Sequence, residues 1–241
     1  MAIVAWKHIE RSRGFQRLKT SLRRLIGTEL RLRIEIEVAT VESAGWCFTP
    51  QGLDQGSIVY SLGVGEDIAF DLFVIERYGV EVHAFDPTPS SIDMISTADL
   101  PDRFHFHPWA ITAKDGTLKF YPRVKKDGSK SDIMFTMIAE DASNKDAIEV
   151  PAFCLSSVAT RLGHSRIDVL KMDIEGAEYE VLEGLLASPI KPKQLLVEFH
   201  HRFPAIGLEK TADIVRGLKK ADYKIFAISE TGREVSFLRT I

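Results

Sequence analysis

The chain has 241 residues, of which 45% are hydrophobic and 27% are charged, and its formal net charge is −3. These values are typical of one globular α/β domain with an extension, and the acidic balance argues against nucleic acid as the main partner. No apolar run reaches the length of a membrane span and no signal-peptide pattern is present, so we expect a cytoplasmic protein.

Residues 1–50 form a basic region that we expect to be a partly helical N-terminal arm. Residues 1–33 hold nine Lys or Arg against Glu10 and Glu29, a charge of +7, which leaves −10 on the rest of the chain. Apolar residues recur there at helical spacing and Gly27 is the predicted stop: Ile9, Phe15, Leu18, Leu22 and Leu25. One interpretation is an arm that packs on the domain or on a partner subunit, giving a homo-oligomer. The other is an arm that binds a membrane surface or an acidic partner.

From residue 51 to 241 strands and helices alternate, which predicts a doubly wound, mostly parallel sheet with helices on both faces. The predicted strands are 58–62, 80–85, 104–108, 167–172 and 194–199, followed by a terminal hairpin of 224–229 and 234–239. The predicted helices are 67–78, 90–97, 155–162, one after Gly176, and 211–221 capped by Thr211. Segments 117–121 and 147–153 predict an antiparallel insertion, and the polar segment 122–144 between them predicts a mobile loop.

A glycine loop, Ser61-Leu-Gly-Val-Gly-Glu-Asp67, follows the first of these strands. Gly63 and Gly65 allow the backbone to pass close to a ligand, although the same pattern also forms a simple tight turn. A dinucleotide site needs a third glycine where Ile68 stands, and Glu66 and Asp67 would repel a pyrophosphate. The loop therefore favours a cofactor with cationic groups over a nicotinamide dinucleotide.

Asp86 ends the second strand and precedes Pro87. An acid at this place can accept hydrogen bonds from both hydroxyls of a ribose. The alternative is an aspartate that only shapes the turn before Pro87. The pattern supports a nucleoside at this edge of the sheet and does not by itself specify a reaction.

The run Asp168-Val-Leu-Lys-Met-Asp-Ile-Glu-Gly-Ala-Glu178 brings Asp173 and Glu175 to the end of a buried strand. If the strand continues, both point to one face, and their like charges would raise one pKa and create a usable base. Glu175 could instead cap the next helix, and Glu178, Glu180 and Glu183 are expected on a solvated helix face. Asp173 is the first candidate for the reaction centre, since it could hold an ammonium group or receive a proton.

His200 and His201 end the fifth strand, with side chains on opposite faces, and either could be the general base. A purely structural role for His200 is the alternative. Asp173, Glu175 and His200 could together hold Mg²⁺ or Mn²⁺, but a metal is not favoured. Cys47 and Cys154 lie far apart, which indicates neither a disulfide framework nor a zinc site. His83, His105 and His107 show no ligand pattern and are expected to be structural.

Lys171-Met-Asp-Ile-Glu-Gly-Ala-Glu178 with Val181-Leu-Glu-Gly184 resembles the signature of the FkbM family of S-adenosylmethionine-dependent methyltransferases. The glycine loop, Phe85-Asp-Pro87, Ala110 with Gly116-Thr-Leu118, and Leu195-Leu-Val-Glu-Phe-His200 extend it from about Val59 to His200. Most of the family has an acid where Ser61 stands. The side-chain contact of that acid does not carry over to Ser61, whereas the backbone role of the loop does. The resemblance implies a Rossmann-like methyltransferase fold, closed by the terminal hairpin, and methylation of a hydroxyl on a sugar or secondary metabolite.

The resemblance also implies a set of residues that bind S-adenosylmethionine. Trp109 and the backbone beside it would lie next to the adenine; the alternative is that Trp109 belongs to the core. The expected cofactor residues are Ser61, Gly63, Gly65, Glu66, Asp67, Asp86, Pro87, Trp109, Ala110 and Asp173, and the expected catalytic residues are Asp173, Glu175 and His200. Two other functions stay open: an NAD(P)-dependent oxidoreductase on a similar sheet, and a non-catalytic binding domain of the same fold.

Overall fold

The computed structural model describes residues 13–124, 130–136 and 147–240. Six helices and thirteen strands follow one another in these ranges. In chain order they are α1 (Arg13–Leu25), β1 (Val41–Ser43), β2 (Trp46–Phe48), β3 (Ile58–Leu62), α2 (Ala69–Tyr78), β4 (Glu81–Phe85), α3 (Pro89–Thr97), β5 (Phe104–His107), β6 (Ala110–Ile111), β7 (Gly116–Val124), β8 (Lys130–Thr136), β9 (Ile148–Phe153), α4 (Leu155–Leu162), β10 (Val169–Met172), α5 (Glu178–Ala187), β11 (Gln194–Glu198), α6 (Gly207–Lys220), β12 (Tyr223–Ile228) and β13 (Glu234–Arg239).

The central sheet has seven strands in the order β12-β13-β11-β10-β3-β4-β5. Strands β11, β10, β3, β4 and β5 are parallel, and β13 runs antiparallel to both of its neighbours. This confirms the predicted mostly parallel α/β sheet with a C-terminal hairpin. The strand order reverses between β3 and β10, so the carboxyl ends of these two strands flank the crevice where ligands of such sheets bind.

Hydrophobic clusters cover both faces of the sheet. Tyr60 belongs to one cluster with residues of α4, α5 and α6, whereas its neighbour Val59 belongs to another with residues of α2. Strands buried on both faces carry nearly continuous apolar runs, which is the pattern of β3, β10 and β11. Among the described residues no helix is long and apolar enough to cross a membrane.

The insertion between β5 and α4 is a second sheet of order β6-β9-β7-β8. The predicted antiparallel pairing of β7 with β9 is confirmed. The predicted mobile loop is wrong over Lys130–Thr136, because β8 pairs there with β7. The hydrogen bonds between an edge strand and its neighbour are made by backbone groups, and edge strands tolerate charged side chains. The polar composition of this segment therefore does not exclude a strand. Residues 125–129 and 137–144 of that segment lie outside the described residues.

The N-terminal region combines buried and exposed parts. The helical spacing from Phe15 to Leu25 is confirmed by α1, and Ile9 lies outside the described residues. Thr20 and Glu29 are buried against the body, whereas large apolar side chains are exposed: Leu18, Leu22, Leu25, Ile26 and Ile34. The hairpin of β1 and β2 was not predicted, and its Trp46 and Phe48 are buried in the core beside β3. The role of the arm stays a prediction.

The predicted cap of the last helix is wrong. Helix α6 begins at Gly207, so Thr211 lies one turn inside it. The Thr211 hydroxyl is buried and lies 2.7 Å from the Tyr179 hydroxyl of α5. A threonine before an apolar helical run predicts an N-cap from sequence. In the structure the Thr211 hydroxyl instead makes a contact between α5 and α6.

Candidate active site

A cavity of about 380 Å³ lies at the carboxyl ends of β3, β4 and β10, at the point where the strand order reverses. Cavities of this size hold small-molecule ligands and cofactors. Most of the predicted cofactor and catalytic residues line it: Gly63, Gly65, Glu66, Asp67, Asp86, Pro87, Trp109, Ala110, Asp173 and Glu175. Ser61 and His200 are not part of its wall.

The glycine loop passes directly against the chain that follows β10. Gly63 has φ of +81°, and a Cβ added there would lie 1.8 Å from the carbonyl oxygen of Asp173. The amide of Asp173 in turn donates to the carbonyl of Leu62 at 3.0 Å. Only glycine fits this conformation and this approach, so Gly63 sets the distance between the two loops that form the cavity.

Asp86 holds the glycine loop through its carboxylate. One oxygen, Oδ2, accepts hydrogen bonds from the amides of Val64 at 3.0 Å and Gly65 at 2.9 Å. The other, Oδ1, accepts from the amide and the hydroxyl of Thr88 at 2.8 and 2.6 Å. A carboxylate has about four acceptor positions, and these four bonds use them. Asp86 therefore stabilises the glycine loop and the turn at Thr88. Its predicted hydrogen bond to a ribose stays a prediction.

An aromatic wall forms one side of the cavity. Trp109 packs with its ring centroid 6.3 Å from that of Phe85 and 5.2 Å from that of Phe153. Trp109 is only partly buried, and it lines the cavity together with Phe85, Ile111 and Phe120. This wall offers flat apolar surface of the kind on which a nucleobase can lie.

The opening of α2 supplies acidic side chains to the same cavity. Glu66 and Asp67 are exposed and line it, and Asp67 Oδ1 accepts a hydrogen bond from the amide of Ala69 at 2.8 Å. Ser61 is fully buried beside Asp71, away from the cavity wall. Successive side chains of a strand point to opposite faces, and the Ser61 side chain points towards α2. Its predicted role in cofactor binding stays a prediction.

Asp173 and Glu175 both approach His200, as predicted. His200 Nε2 lies 3.8 Å from Asp173 Oδ1 and 3.7 Å from Glu175 Oε2. The expectation that they share a continued strand is wrong, because β10 ends at Met172 and Glu175 has a left-handed φ of +51°. The turn at Glu175 thus places the Glu175 carboxylate near His200. The N-cap position of α5 is occupied by Ala177, so Glu175 is not the N-cap residue of this helix.

Glu178 is a site residue that the sequence reasoning missed. It was expected on a solvated helix face, but it is fully buried. Its carboxylate accepts hydrogen bonds from the amides of Ile174 and Gly176, and His200 Nδ1 lies 3.0 Å from Glu178 Oε1. An acid in the first helical turn that reaches back to preceding amides is a known way to begin a helix, and that position was the available signal.

His200 is buried behind Asp173 and Glu175. Burial alone would lower its pKa, but the hydrogen bond and charge of Glu178, with the charges of Glu175 and Asp173, raise the pKa to about 9. The side chain is therefore an imidazolium at neutral pH, enclosed by three carboxylates. This charge state and the absence of His200 from the cavity wall argue for a residue that orients the carboxylates and against a general base.

Glu198 and Glu234 also line the cavity. Burial raises the pKa of Glu198 to about 7, and the negative charge of Asp173 acts in the same direction, while Arg233 opposes it. Glu198 also forms an ion pair with Arg233. The sequence reasoning missed Glu198, although its place at the end of the fifth strand, two residues before His200, was the available signal.

The same cluster has to be considered as a metal site. Ligand atoms of Asp173, Glu178 and His200 lie within 4.8 Å of one another. However, Glu178 already accepts hydrogen bonds from two backbone amides, and its contact with His200 is that of an ion pair. A carboxylate and an imidazolium so engaged are poor ligands for Mg²⁺, which prefers free oxygen ligands. The donor set fits an ion-pair network better than a magnesium centre.

Comparison with known proteins agrees with this site. The sequence pattern of the methyltransferase FkbM domain matches residues 56–225. The chain belongs to the FkbM methyltransferase family. The match includes the glycine loop, Asp86, Asp173, Glu175, Glu178, Glu198 and His200, and it ends within β12. It begins after the β1–β2 hairpin, whose Ala44, Gly45 and Trp46 line the cavity from outside the matched region.

Individual relatives of this FkbM-family chain are distant. Human "Probable methyltransferase-like protein 24" is 28% identical over 185 residues, which covers 74% of this chain and 43% of that protein. The chain thus spans less than half the length of that relative. "31-O-demethyl-FK506 methyltransferase FkbM" of Streptomyces tacrolimicus is 27% identical over 195 residues, covering 67% of this chain and 73% of that protein. The crystal structure of a methyltransferase FkbM from Methylobacillus flagellatus aligns with a TM-score of 0.47 at 13% identity, covering 77% of this chain and 44% of that one.

Proposed function

We propose that this protein transfers a methyl group from S-adenosylmethionine to a hydroxyl of a small molecule or glycan. The observation that carries the proposal is that the glycine loop, the aromatic wall and several carboxylates line one cavity. The aromatic wall offers a surface for a nucleoside base, and the carboxylates that line the cavity offer one for a cationic amino acid. The relative from Streptomyces tacrolimicus, whose name describes an O-methyltransferase, supports a hydroxyl acceptor.

The residues of the cavity fit S-adenosylmethionine. This cofactor supplies an electrophilic methyl group on a sulfonium and also carries an ammonium group. Trp109 and Phe85 would border the adenine, and the backbone of Gly63 and Gly65 would approach the ligand closely. Glu66, Asp67 and Asp173 would favour the positive charges. The same carboxylates would repel a dinucleotide pyrophosphate, so an oxidoreductase is not favoured.

The acceptor hydroxyl must be held in line with the methyl group and lose its proton. Asp173 and Glu175 face the cavity, while the imidazolium of His200 behind them fixes their orientation. Glu198 is the best candidate to receive the proton, because a base with a pKa near 7 is well matched to neutral conditions. In this assignment Asp173 binds the ammonium group or the acceptor, and no metal ion is needed.

Methyl transfer from labelled S-adenosylmethionine to a panel of hydroxylated acceptors, such as methyl glycosides and macrolides, tests this proposal. Asp173→Asn should lower turnover about 100-fold without loss of fold, because it keeps the shape and removes the charge that positions the ammonium group or the acceptor. Glu180→Gln, on the exposed side of α5, is the matched control and should act as wild type. Label found only on amines, or Asp173→Asn within about threefold of wild type, would contradict the assignment. Activity that is lost with a chelator and restored by Mg²⁺ but not by Zn²⁺ would restore the metal site around His200.

A further inference from the structure

Four histidines gather around β4 and the edge strand β5 of the central sheet. His83 lies on β4, His105 and His107 lie on β5, and His164 follows directly on the glycine that ends α4. The His83 ring centroid is 4.5 Å from that of His164, 4.7 Å from that of His105 and 5.4 Å from that of His107. The chain has seven histidines, and the proposed methyl transfer uses none of these four.

We propose that Glu81, His83 and His164 bind a divalent transition-metal ion, with zinc as the best match. Ligand atoms of these three side chains lie within 4.8 Å of one another. Glu81 and His83 are two residues apart on β4, so both side chains project from the same face of the strand. His164 reaches that face from a separate element, which makes the three a site assembled by the fold.

His83 has a ring nitrogen that is ready to bind a ligand. Its side chain is 7% exposed, and its Nε2 is buried without a hydrogen-bond partner among the described residues. Its Nδ1 lies 3.1 Å from His107 Nε2. When Nδ1 carries the proton and donates it to His107, the lone pair of Nε2 is left unpaired. A buried polar atom without a partner is costly, and a metal ion would satisfy it.

His164 also has one ring nitrogen held by a neighbouring side chain. Its Nδ1 lies 2.8 Å from the hydroxyl of Tyr60, which is itself fully buried. Histidines that bind metals usually have their other ring nitrogen held by a hydrogen bond, which fixes the ring and its tautomer. His107 and Tyr60 would provide this support, and Nε2 is then the nitrogen that each of the two histidines offers to the metal.

Two imidazoles and one carboxylate suit zinc and similar borderline ions and are a poor match for Mg²⁺ or Ca²⁺. In a tetrahedral zinc site neighbouring ligand atoms lie about 3.3 Å apart, so the three side chains must move closer together. Glu81 is free to do so, because it is partly exposed and its contact with Arg103 at 3.9 Å is a weak surface ion pair. Water or His105 would complete the coordination.

The proposed metal site lies outside the cavity. His107 stacks on Phe85 with ring centroids 4.9 Å apart and lies 4.8 Å from Trp109, and both of these residues line the cavity. The metal would therefore sit behind the aromatic wall and support it. The acidic cluster around His200 is a separate group, so the two sites can be tested independently.

Calorimetric titration of the chelator-treated full chain with zinc chloride tests the site, and Co²⁺ absorbance reports tetrahedral coordination. We expect one zinc equivalent that His83→Gln, His164→Gln and Glu81→Gln each weaken at least tenfold. Tyr60→Phe removes no ligand and should weaken binding about tenfold through the lost support of His164. His200→Gln is the matched control from the other histidine–carboxylate group and should leave this equivalent unchanged.

Wild-type protein that binds no zinc would overturn the proposal. Zinc binding that survives both His83→Gln and Glu81→Gln would do the same, as would binding lost only in His200→Gln. If His83→Gln fails to fold, Glu81→Gln decides, since it changes a partly exposed side chain. The thermal midpoint gives a second measurement: zinc should raise it for wild type and not for Glu81→Gln.

Discussion

His200 Nδ1 lies 3.0 Å from Glu178 Oε1, and both side chains are buried behind the carboxylates that line the cavity. The pair links the start of α5 to the chain that follows β11. Because three carboxylates surround His200, the positive charge of its imidazolium increases the free energy of unfolding.

The pH dependence of stability should show this charge. The pKa of His200 is raised from 6.5 to about 9 in the folded state, so its contribution is fully present below pH 6.5 and is lost as the pH rises through 9. We expect the free energy of unfolding of wild type to fall relative to that of His200→Gln between pH 6.5 and 9. Urea unfolding across this range, with NMR titration of His200, measures it. A His200 pKa at or below 6.5 would contradict the assignment.

Gly63 and Gly65 provide a matched pair of substitutions. Gly63→Ala places a Cβ 1.8 Å from the Asp173 carbonyl, so we expect a loss of more than about 3 kcal/mol and no cofactor binding. Gly65→Ala meets no atom within 4 Å and has only an unfavourable φ of +55°, so it should cost about 1 kcal/mol. Chemical denaturation of both variants gives the comparison. Equal losses would show that the loops do not touch as described.

Asp86 should affect both stability and cofactor binding. Asp86→Ala leaves the amides of Val64, Gly65 and Thr88 unpaired, which should cost about 1–3 kcal/mol and weaken S-adenosylhomocysteine binding more than tenfold. Asp86→Asn keeps one acceptor oxygen and should lie between Ala and wild type. Calorimetry of the three proteins decides the matter. Wild-type affinity in Asp86→Ala would remove this residue from the site.

Glu29 connects the N-terminal arm to the segment after β11. Its buried carboxylate lies 2.5 Å from His201 Nε2 and 2.6 Å from an Arg202 nitrogen. Burial alone would raise its pKa, but these partners lower the pKa from 4.5 to about 2, so its stabilisation is present above pH 4.5 and is lost as the pH falls through 2.

Glu29→Gln should therefore lower stability at neutral pH by about 1–3 kcal/mol, because it leaves Arg202 without its charged partner. The variant should also lose less stability than wild type between pH 4.5 and 2. Thermal unfolding at several pH values measures both effects. A variant as stable as wild type at pH 7 would show that the arm is not anchored through this contact.

Much of the fold and part of the site could be predicted from sequence. Asp86 and Asp173 directly follow buried strands, and the carboxyl ends of parallel strands meet at one edge of the sheet, so their proximity was predictable. Glu178 was not, because an acid in a first helical turn is usually solvated and only the contact with His200 distinguishes it. The histidine cluster depends on the register of β4 with β5 and on His164 from a distant helix end, which periodicity does not reveal.

The binding preference of the cavity tests the central claim most directly. Calorimetric titration of the wild-type protein with S-adenosylhomocysteine, and separately with NAD, compares a cofactor without phosphate with one that carries a pyrophosphate. We predict one bound S-adenosylhomocysteine per chain, lost in Gly63→Ala, and no detectable binding of NAD. Binding of NAD without binding of S-adenosylhomocysteine would contradict the account of this site as a methyltransferase centre.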